Sequence, residues 1–172
     1  MTDINELKDF RSPGWDSLPE IELYMDQVLT LISKHFGNLI GSDSGITSSM
    51  INNYVKAGVV PPPHKKRYGK EHIACIFMVC VLKRVLSINR IGGLIKALNG
   101  ERDIKDVYTL FCSELDSSVQ YIKTVLSNKN GTSAAQPCKT EAELALRCSV
   151  SAFSNAVIAD ILLEDGKKAE KK

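Results

Sequence analysis

Residues 46–73 read ITSSMINNYVKAGVVPPPHKKRYGKEHI, and the stretch changes character three times. It opens like a short helix, breaks at a glycine, crosses three prolines and ends in a basic cluster before a very apolar run. Thr47 or Ser48 is suited to cap a helix reaching Ala57, because a hydroxyl there satisfies an orphan N–H of the first turn. Gly58 takes up the left-handed conformation that stops a helix, and the prolines beyond forbid continuation. Met50, Ile51, Tyr54 and Val55 then share one face, apolar and core-directed. Ser49, Asn52, Asn53 and Lys56, spaced i, i+3, i+4 and i+7, share the other. That second face carries two amides, a hydroxyl and an ammonium, and no carboxylate. Asparagine is the side chain that pairs with an adenine edge in a major groove, and Ser and Lys suit phosphates. Any short surface helix needs polar residues, so the residues that follow add weight. Pro61-Pro62-Pro63 stiffens an extended connector, and His64-Lys65-Lys66-Arg67 places charge at its tip, where it would lie along a phosphate backbone. Tyr68 is expected to anchor this arm to the core through its ring. The nucleic-acid reading therefore assigns Ser49, Asn52, Asn53 and Lys56 to the groove, and Lys65, Lys66, Arg67 and Lys70 to phosphates.

Charge is distributed in the same sense. The chain as a whole carries a net charge of only +2, which by itself selects no partner. Between residues 56 and 96, however, nine Lys and Arg face one acid, Glu71. A one-signed patch on a nearly neutral protein suits an anionic partner, or else forms a solvated basic face. The sequence contains no nucleotide-binding glycine loop, no G-x-S-x-G and no H-E-x-x-H, so no enzyme is expected and no catalytic residue is assigned. His72 and Cys75 lie three apart, with Cys80 and His64 near in sequence. Tetrahedral zinc needs four convergent ligands, and Cys75 and Cys80 stand in the most apolar run, so they read as core thiols. No metal and no cofactor is expected. Five cysteines without a regular framework fit a reducing cytoplasm, and the polar, acidic start MTDINELKDF shows no secretory pattern. The longest apolar run, IACIFMVCVL at 73–82, is ten residues, against about 20 for a bilayer span. A soluble, cytoplasmic protein without a membrane partner follows as the expectation.

Outward from the central stretch, helical periodicity dominates. Residues 1–16 read as an irregular arm with a turn at Ser12-Pro13-Gly14. Ser17 and Glu20 are spaced as a capping box, ahead of a stripe of Ile21, Met25, Val28, Leu29, Ile32 and Phe36 that Gly37 would end. A Gly/Ser loop from Gly41 to Gly45 leads into the central stretch. After it, Ile73 to Leu86 is apolar nearly all round; periodicity alone does not separate helix from strand there, and its length and helical neighbours select a helix, buried on several sides or at a dimer seam. Ser87 would cap a short helix through Leu98 despite Gly92 and Gly93. Ile104, Val107, Phe111, Leu115, Ile122 and Val125 form a further amphipathic helix, followed by the polar loop 128–137. Thr140 and Glu143 have capping-box spacing. The helix after them carries two stripes, one of Leu146, Val150, Phe153, Val157 and Ile161, the other of Ala145, Cys148, Ala152, Ala156 and Ala159. Two stripes predict packing between partners, in the same chain or in a second subunit. The charged tail 164–172 is expected to fray.

TSSMINNYVKAGVV resembles, without a gap, the second helix of the mercury-resistance-regulator (MerR) type of winged helix-turn-helix. Ile51, Tyr54, Gly58, Val59 and Val60 match that helix and its stop. Lys66-Arg67-Tyr68 stands where the wing returns, and Leu86-Ser87-Ile88-Asn89-Arg90-Ile91 is similar to the later helical segment. Asn52 and Asn53 occupy the places of that family's Arg and first Tyr, the wing is short, and the C-terminal part carries no long heptad seam. More widely, residues roughly 10 to 98 are similar to a family called domain of unknown function 1836. Trp15 through Val28 carry its W-x-x-L-P-x-I-E-L-Y-M-D-Q-V entry, and Met50 through Gly58 its M-I-N-N-Y-V-K-x-G core. The resemblances imply an all-α fold with a MerR-like winged helix-turn-helix core over residues 17–99 and a C-terminal helical extension over 100–163. The MerR resemblance implies a DNA-binding transcriptional regulator with double-stranded DNA as partner; a homodimer through the C-terminal helices is the expectation that fits the reading of two half-sites. The competing expectation is a non-enzymatic protein–protein interaction module on a degenerate helix-turn-helix scaffold.

Overall fold

The computed structural model describes residues 10–40, 45–100, 102–128 and 140–169, with side chains described for 10–37, 45–100, 102–123 and 140–158. Six α-helices order these residues: α1 (Met25–Ile40), α2 (Ser48–Lys56), α3 (Lys70–Leu82), α4 (Ile88–Asn99), α5 (Ile104–Asn128) and α6 (Glu141–Ala169). A single 3-10 turn at Trp15–Ser17 precedes them, and no strand longer than an isolated bridge occurs among the described residues. The fold is all-α. Its centre is α3, where every residue from Ile73 to Leu82 is buried. A helix apolar on all sides needs neighbours on all sides. Here α1, α4, α5 and α6 supply them, and the most extensive packing among the described residues runs between α5 and α6. The apolar run is thus accounted for inside one chain.

Aromatic rings cross this core. Phe36 of α1 meets Phe77 of α3 edge-on at 4.8 Å between centroids, and Phe77 reaches Tyr108 of α5 at 6.4 Å. Phe10 packs on Phe36, and Trp15 on Tyr108, so the N-terminal segment joins the same ladder. Polar contacts fasten that segment to α5. The Tyr108 hydroxyl donates to the Pro13 carbonyl at 2.7 Å, and the Ser12 N–H donates to Asp116 Oδ1 at 2.8 Å. Residues 10–16, irregular up to the turn at Trp15, are thus strapped onto α5; residues 1–9 of the expected arm lie outside the described residues.

Several helix boundaries depart from the sequence reading. The first helix starts at Met25, not directly after Ser17, and it runs past Gly37 to Ile40. Ser17 donates its hydroxyl to the Gly14 carbonyl, and Ile21, counted in the apolar stripe, is 71% exposed. The reason is tertiary. Leu23 and Tyr68 exchange both backbone hydrogen bonds, at 2.9 and 2.8 Å, which holds the residues before Met25 extended. Gln27, three residues beyond Tyr24, accepts the Tyr24 N–H at 2.8 Å and supplies the reaching-back half of a capping box. At α6, Thr140 Oγ1 accepts the Glu143 N–H at 3.1 Å as expected, while the Glu143 carboxylate pairs with Arg102. The Leu146, Val150, Phe153 and Val157 stripe is buried, but Ala145, Cys148 and Ala152 are exposed. Among the described residues nothing covers the second stripe at those three positions, and the side chains of Ala159 and Ile161 lie outside those described. Helix α6 also continues to Ala169, through most of the tail expected to fray. The loop 128–137 beyond Asn128, residues 41–44, Cys138 and residues 170–172 lie outside the described residues.

Candidate nucleic-acid interface

Helix α2 forms for reasons readable residue by residue. Thr47 is its N-cap, with Oγ1 accepting the Met50 N–H at 3.2 Å. Its end is a Schellman motif. The Gly58 N–H donates to the Val55 carbonyl and the Val59 N–H to the Tyr54 carbonyl, both at 3.0 Å, with Gly58 at φ +70°. Val59 and Tyr54 are both buried, completing the apolar contact that accompanies this cap. Ile51 and Tyr54 face the core, Met50 and Val55 are half-buried, and burial pushes the Tyr54 phenol above its ordinary range. Ser49, Asn52, Asn53 and Lys56 are all exposed, so the polar face is presented to solvent as one surface. Helix α4 backs this element closely. A Cβ placed on Gly92 would lie 3.0 Å from Val59 Cγ2, so a glycine in the middle of α4 lets it approach the end of α2.

The basic arm is a tight hairpin. His64 and Arg67 form an antiparallel bridge, with the Arg67 N–H donating to the His64 carbonyl at 2.8 Å. The two residues between them, Lys65 and Lys66, have φ of 48° and 63°. Positive φ at both central positions defines the type I′ turn that closes two-residue hairpins, a place usually given to Asn-Gly. Here it is occupied by two exposed lysines. On the return side, Tyr68 is 3% exposed and makes the paired bonds with Leu23, so it anchors the arm as its amphipathic ring suggested. Burial raises its phenol as well.

Of the four cations assigned to phosphates, three stand at the hairpin tip and one does not. Arg67 is exposed and lies over the ring of Tyr24 at 5.5 Å. Lys70 departs from the expectation. It is only half-buried, but its ammonium pairs with Glu20 and lies 5.8 Å from the centre of the Trp15 ring. Lys70 clamps the N-terminal segment to the first turn of α3. Tyr24, half exposed beneath Arg67, was not singled out by the sequence. No spacing rule links residues 24 and 67; only the bridge between Leu23 and Tyr68 brings them side by side. Among the described residues no three His, Cys, Asp or Glu side chains converge as metal ligands, and burial pushes the Cys75 and Cys80 thiols up to about 12. No helix among them is long and apolar enough to cross a membrane.

Fold and site together define an all-helical domain that displays a polar helix face and a basic hairpin. The chain matches the family described as Domain of unknown function (DUF1836) over residues 13–111, more than half its length, and belongs to that family. The match ends inside α5, so the helix polar face and the hairpin both fall within the family's region. No curated protein and no solved structure matches the chain.

Proposed function

We propose that the chain is a double-stranded-DNA-binding transcriptional regulator of the helix-turn-helix class, similar to the winged MerR type. In this reading α1 and α2 are the helix pair, α2 enters the major groove, and the hairpin 64–67 is the wing. The observation that carries it is the hairpin tip. Lysine at a left-handed position gives up about 1 kcal/mol relative to glycine, and the tip holds two such lysines in succession, both solvated. Strain of that kind persists where the side chains are needed, and two ammonium groups at a protruding turn suit phosphates. The reach is compatible. Eight residues from Lys56 to His64 span at most about 28 Å when extended, less than the ~34 Å of one duplex turn. Ser49, Asn52, Asn53 and Lys56 would contact the groove, with Lys65, Lys66 and Arg67 on the backbone. Lys70, already paired, is left out. Each bidentate Asn–adenine pair is worth about 1–3 kcal/mol of discrimination. Selection of bound genomic fragments by wild type and by Asn52→Ala/Asn53→Ala tests the groove assignment: the variant should retain general affinity and lose sequence preference. Identical selected sequences would remove α2 from the interface.

A second reading, an interaction module binding another protein or a second copy, draws on a different observation. An open groove of about 760 Å³ lies between α4 and α6, lined by Leu86, Leu94, Ala97 and Ala145 together with the charged residues Arg90 and Glu141. On α6 itself the uncharged residues Leu144, Cys148 and Ala152 are exposed. A homodimer through the C-terminal helices would bring two copies of α2 to two half-sites. Sedimentation at micromolar concentration separates the cases, since a strict monomer leaves the two-half-site arrangement without support.

A further inference from the structure

Building on the duplex-binding reading, we propose that His72 is the positioning residue of the basic hairpin, its neutral imidazole serving as the missing rung between the two sides. In a two-residue hairpin closed by His64 and Arg67, residues 63 and 68 face each other next, and Pro62 and Gly69 after them. The outgoing side is Pro61-Pro62-Pro63, which has no N–H to donate, so of an ordinary rung between residues 62 and 69 only the bond from the Gly69 N–H to the Pro62 carbonyl is open. His72, three residues beyond Gly69 on the first turn of α3, fills that place. Its Nδ1 accepts the Gly69 N–H at 3.0 Å, and its Nε2 lies 3.3 Å from the Pro62 carbonyl oxygen. The two bonds join the facing residues Gly69 and Pro62 through the ring. Tyr68 packs edge-on against the same ring, 5.8 Å between centroids and 83° between planes.

The partners fix the proton. A carbonyl oxygen only accepts and a backbone N–H only donates, so both bonds exist together only with Nε2 protonated and Nδ1 bare. The ring then sets the distance between the proline side and the return side, and with it the direction in which Lys65, Lys66 and Arg67 project. Glutamine at the same position reproduces both roles, since its amide oxygen accepts and its NH₂ donates. Leucine fills space and does neither.

The test is equilibrium binding to random-sequence duplex DNA by wild type, His72→Leu and His72→Gln, each with and without Lys65→Ala/Lys66→Ala. Alongside it run an imidazole ¹⁵N spectrum and Gly69 amide exchange on the free protein. The expected spectrum is a neutral Nε2–H ring. His72→Leu should weaken binding about fivefold, the scale of one hydrogen bond, and His72→Gln should restore it. In the double-lysine background His72→Leu should cost clearly less, because of the groups it positions only Arg67 remains. A ring protonated on Nδ1, an equal loss in both backgrounds, or a glutamine variant as weak as leucine overturns the proposal. If Lys65→Ala/Lys66→Ala binds like wild type, the duplex reading itself falls, and Gly69 decides the rung. Its protection lost in His72→Leu and kept in His72→Gln upholds the rung; protection unchanged in His72→Leu overturns it.

Discussion

Lys65 and Lys66 hold φ of 48° and 63°, a region where a side chain with a Cβ is unfavourable and Asn-Gly is at ease. Replacing them by that pair, Lys65→Asn/Lys66→Gly, should stabilise the fold by about 1 kcal/mol through relieved strain. The same variant should bind duplex DNA more weakly, because both ammonium groups are gone. Denaturant unfolding and binding titrations on one preparation check both halves; a variant less stable than wild type would show that the lysines are not strained. At Gly58, with φ +70°, the opposite logic holds, and Gly58→Ala should lose about 1–2 kcal/mol on the same unfolding curves. Gly58 was legible in the sequence because a helix, a glycine and prolines in succession determine a stop locally. The clamp at Lys70 was not legible. Its partners Glu20 and Trp15 stand about fifty residues away in the chain, and nothing in local spacing announces them.

Among elements, α4 offers the sharpest contrast, since its two neighbouring glycines differ in surroundings. A Cβ on Gly93 meets nothing within 4 Å, whereas one on Gly92 meets Val59 at 3.0 Å. Gly93→Ala should therefore stabilise α4 by up to about 1 kcal/mol through helix propensity. Gly92→Ala should lose that gain to crowding against the end of α2. Thermal unfolding of the two single variants reads the difference, and equal stabilisation would mean that α4 does not press on α2. The helices were legible where the apolar stripe is long and meets only the core, as in α3, α5 and the inner face of α6. The start of α1 was misread for a physical reason. Ile21 fits the 3.6-residue period, but the pairing of Leu23 with Tyr68 holds that segment extended, and a tertiary bond pair outweighs a periodicity. The outer stripe of α6 was legible as a stripe but not as exposed within this chain, because small residues fit a close partner, a second subunit included, and a solvated surface equally well.

For the whole molecule, burial sets both reactivity and pH dependence. Cys75, Cys80 and Cys112 are buried and Cys148 is exposed. In a Cys138→Ser background a thiol reagent should label one cysteine rapidly in the native protein and the other three only on unfolding. Fast labelling of more than one would contradict the buried position of α3 or of α5. Cys75 and Cys80 have thiols raised from 9.0 to about 12, chiefly by desolvation. The folded state keeps their protons while the unfolded chain releases them above about 9. Their contribution is therefore fully present below that pH and lost as pH rises towards about 12. The slope should approach 1.4 kcal/mol per pH unit for each thiol, and Cys75→Ala, Cys80→Ala variants should flatten it in proportion.

One continuous core joins α1–α4 to α5 and α6, so the polar helix face and the hairpin rest on one packed body. Whether that body carries them to DNA is the central claim. The most direct measurement is the salt dependence of binding to random-sequence duplex DNA, comparing wild type with Lys65→Glu/Lys66→Glu. Wild-type affinity should fall steeply with salt. The reversed variant should bind more weakly, with a slope lowered by about one for each phosphate no longer neutralised, about two in all. Binding that is undetectable at low salt, or that ignores both salt and the charge reversal, would contradict it.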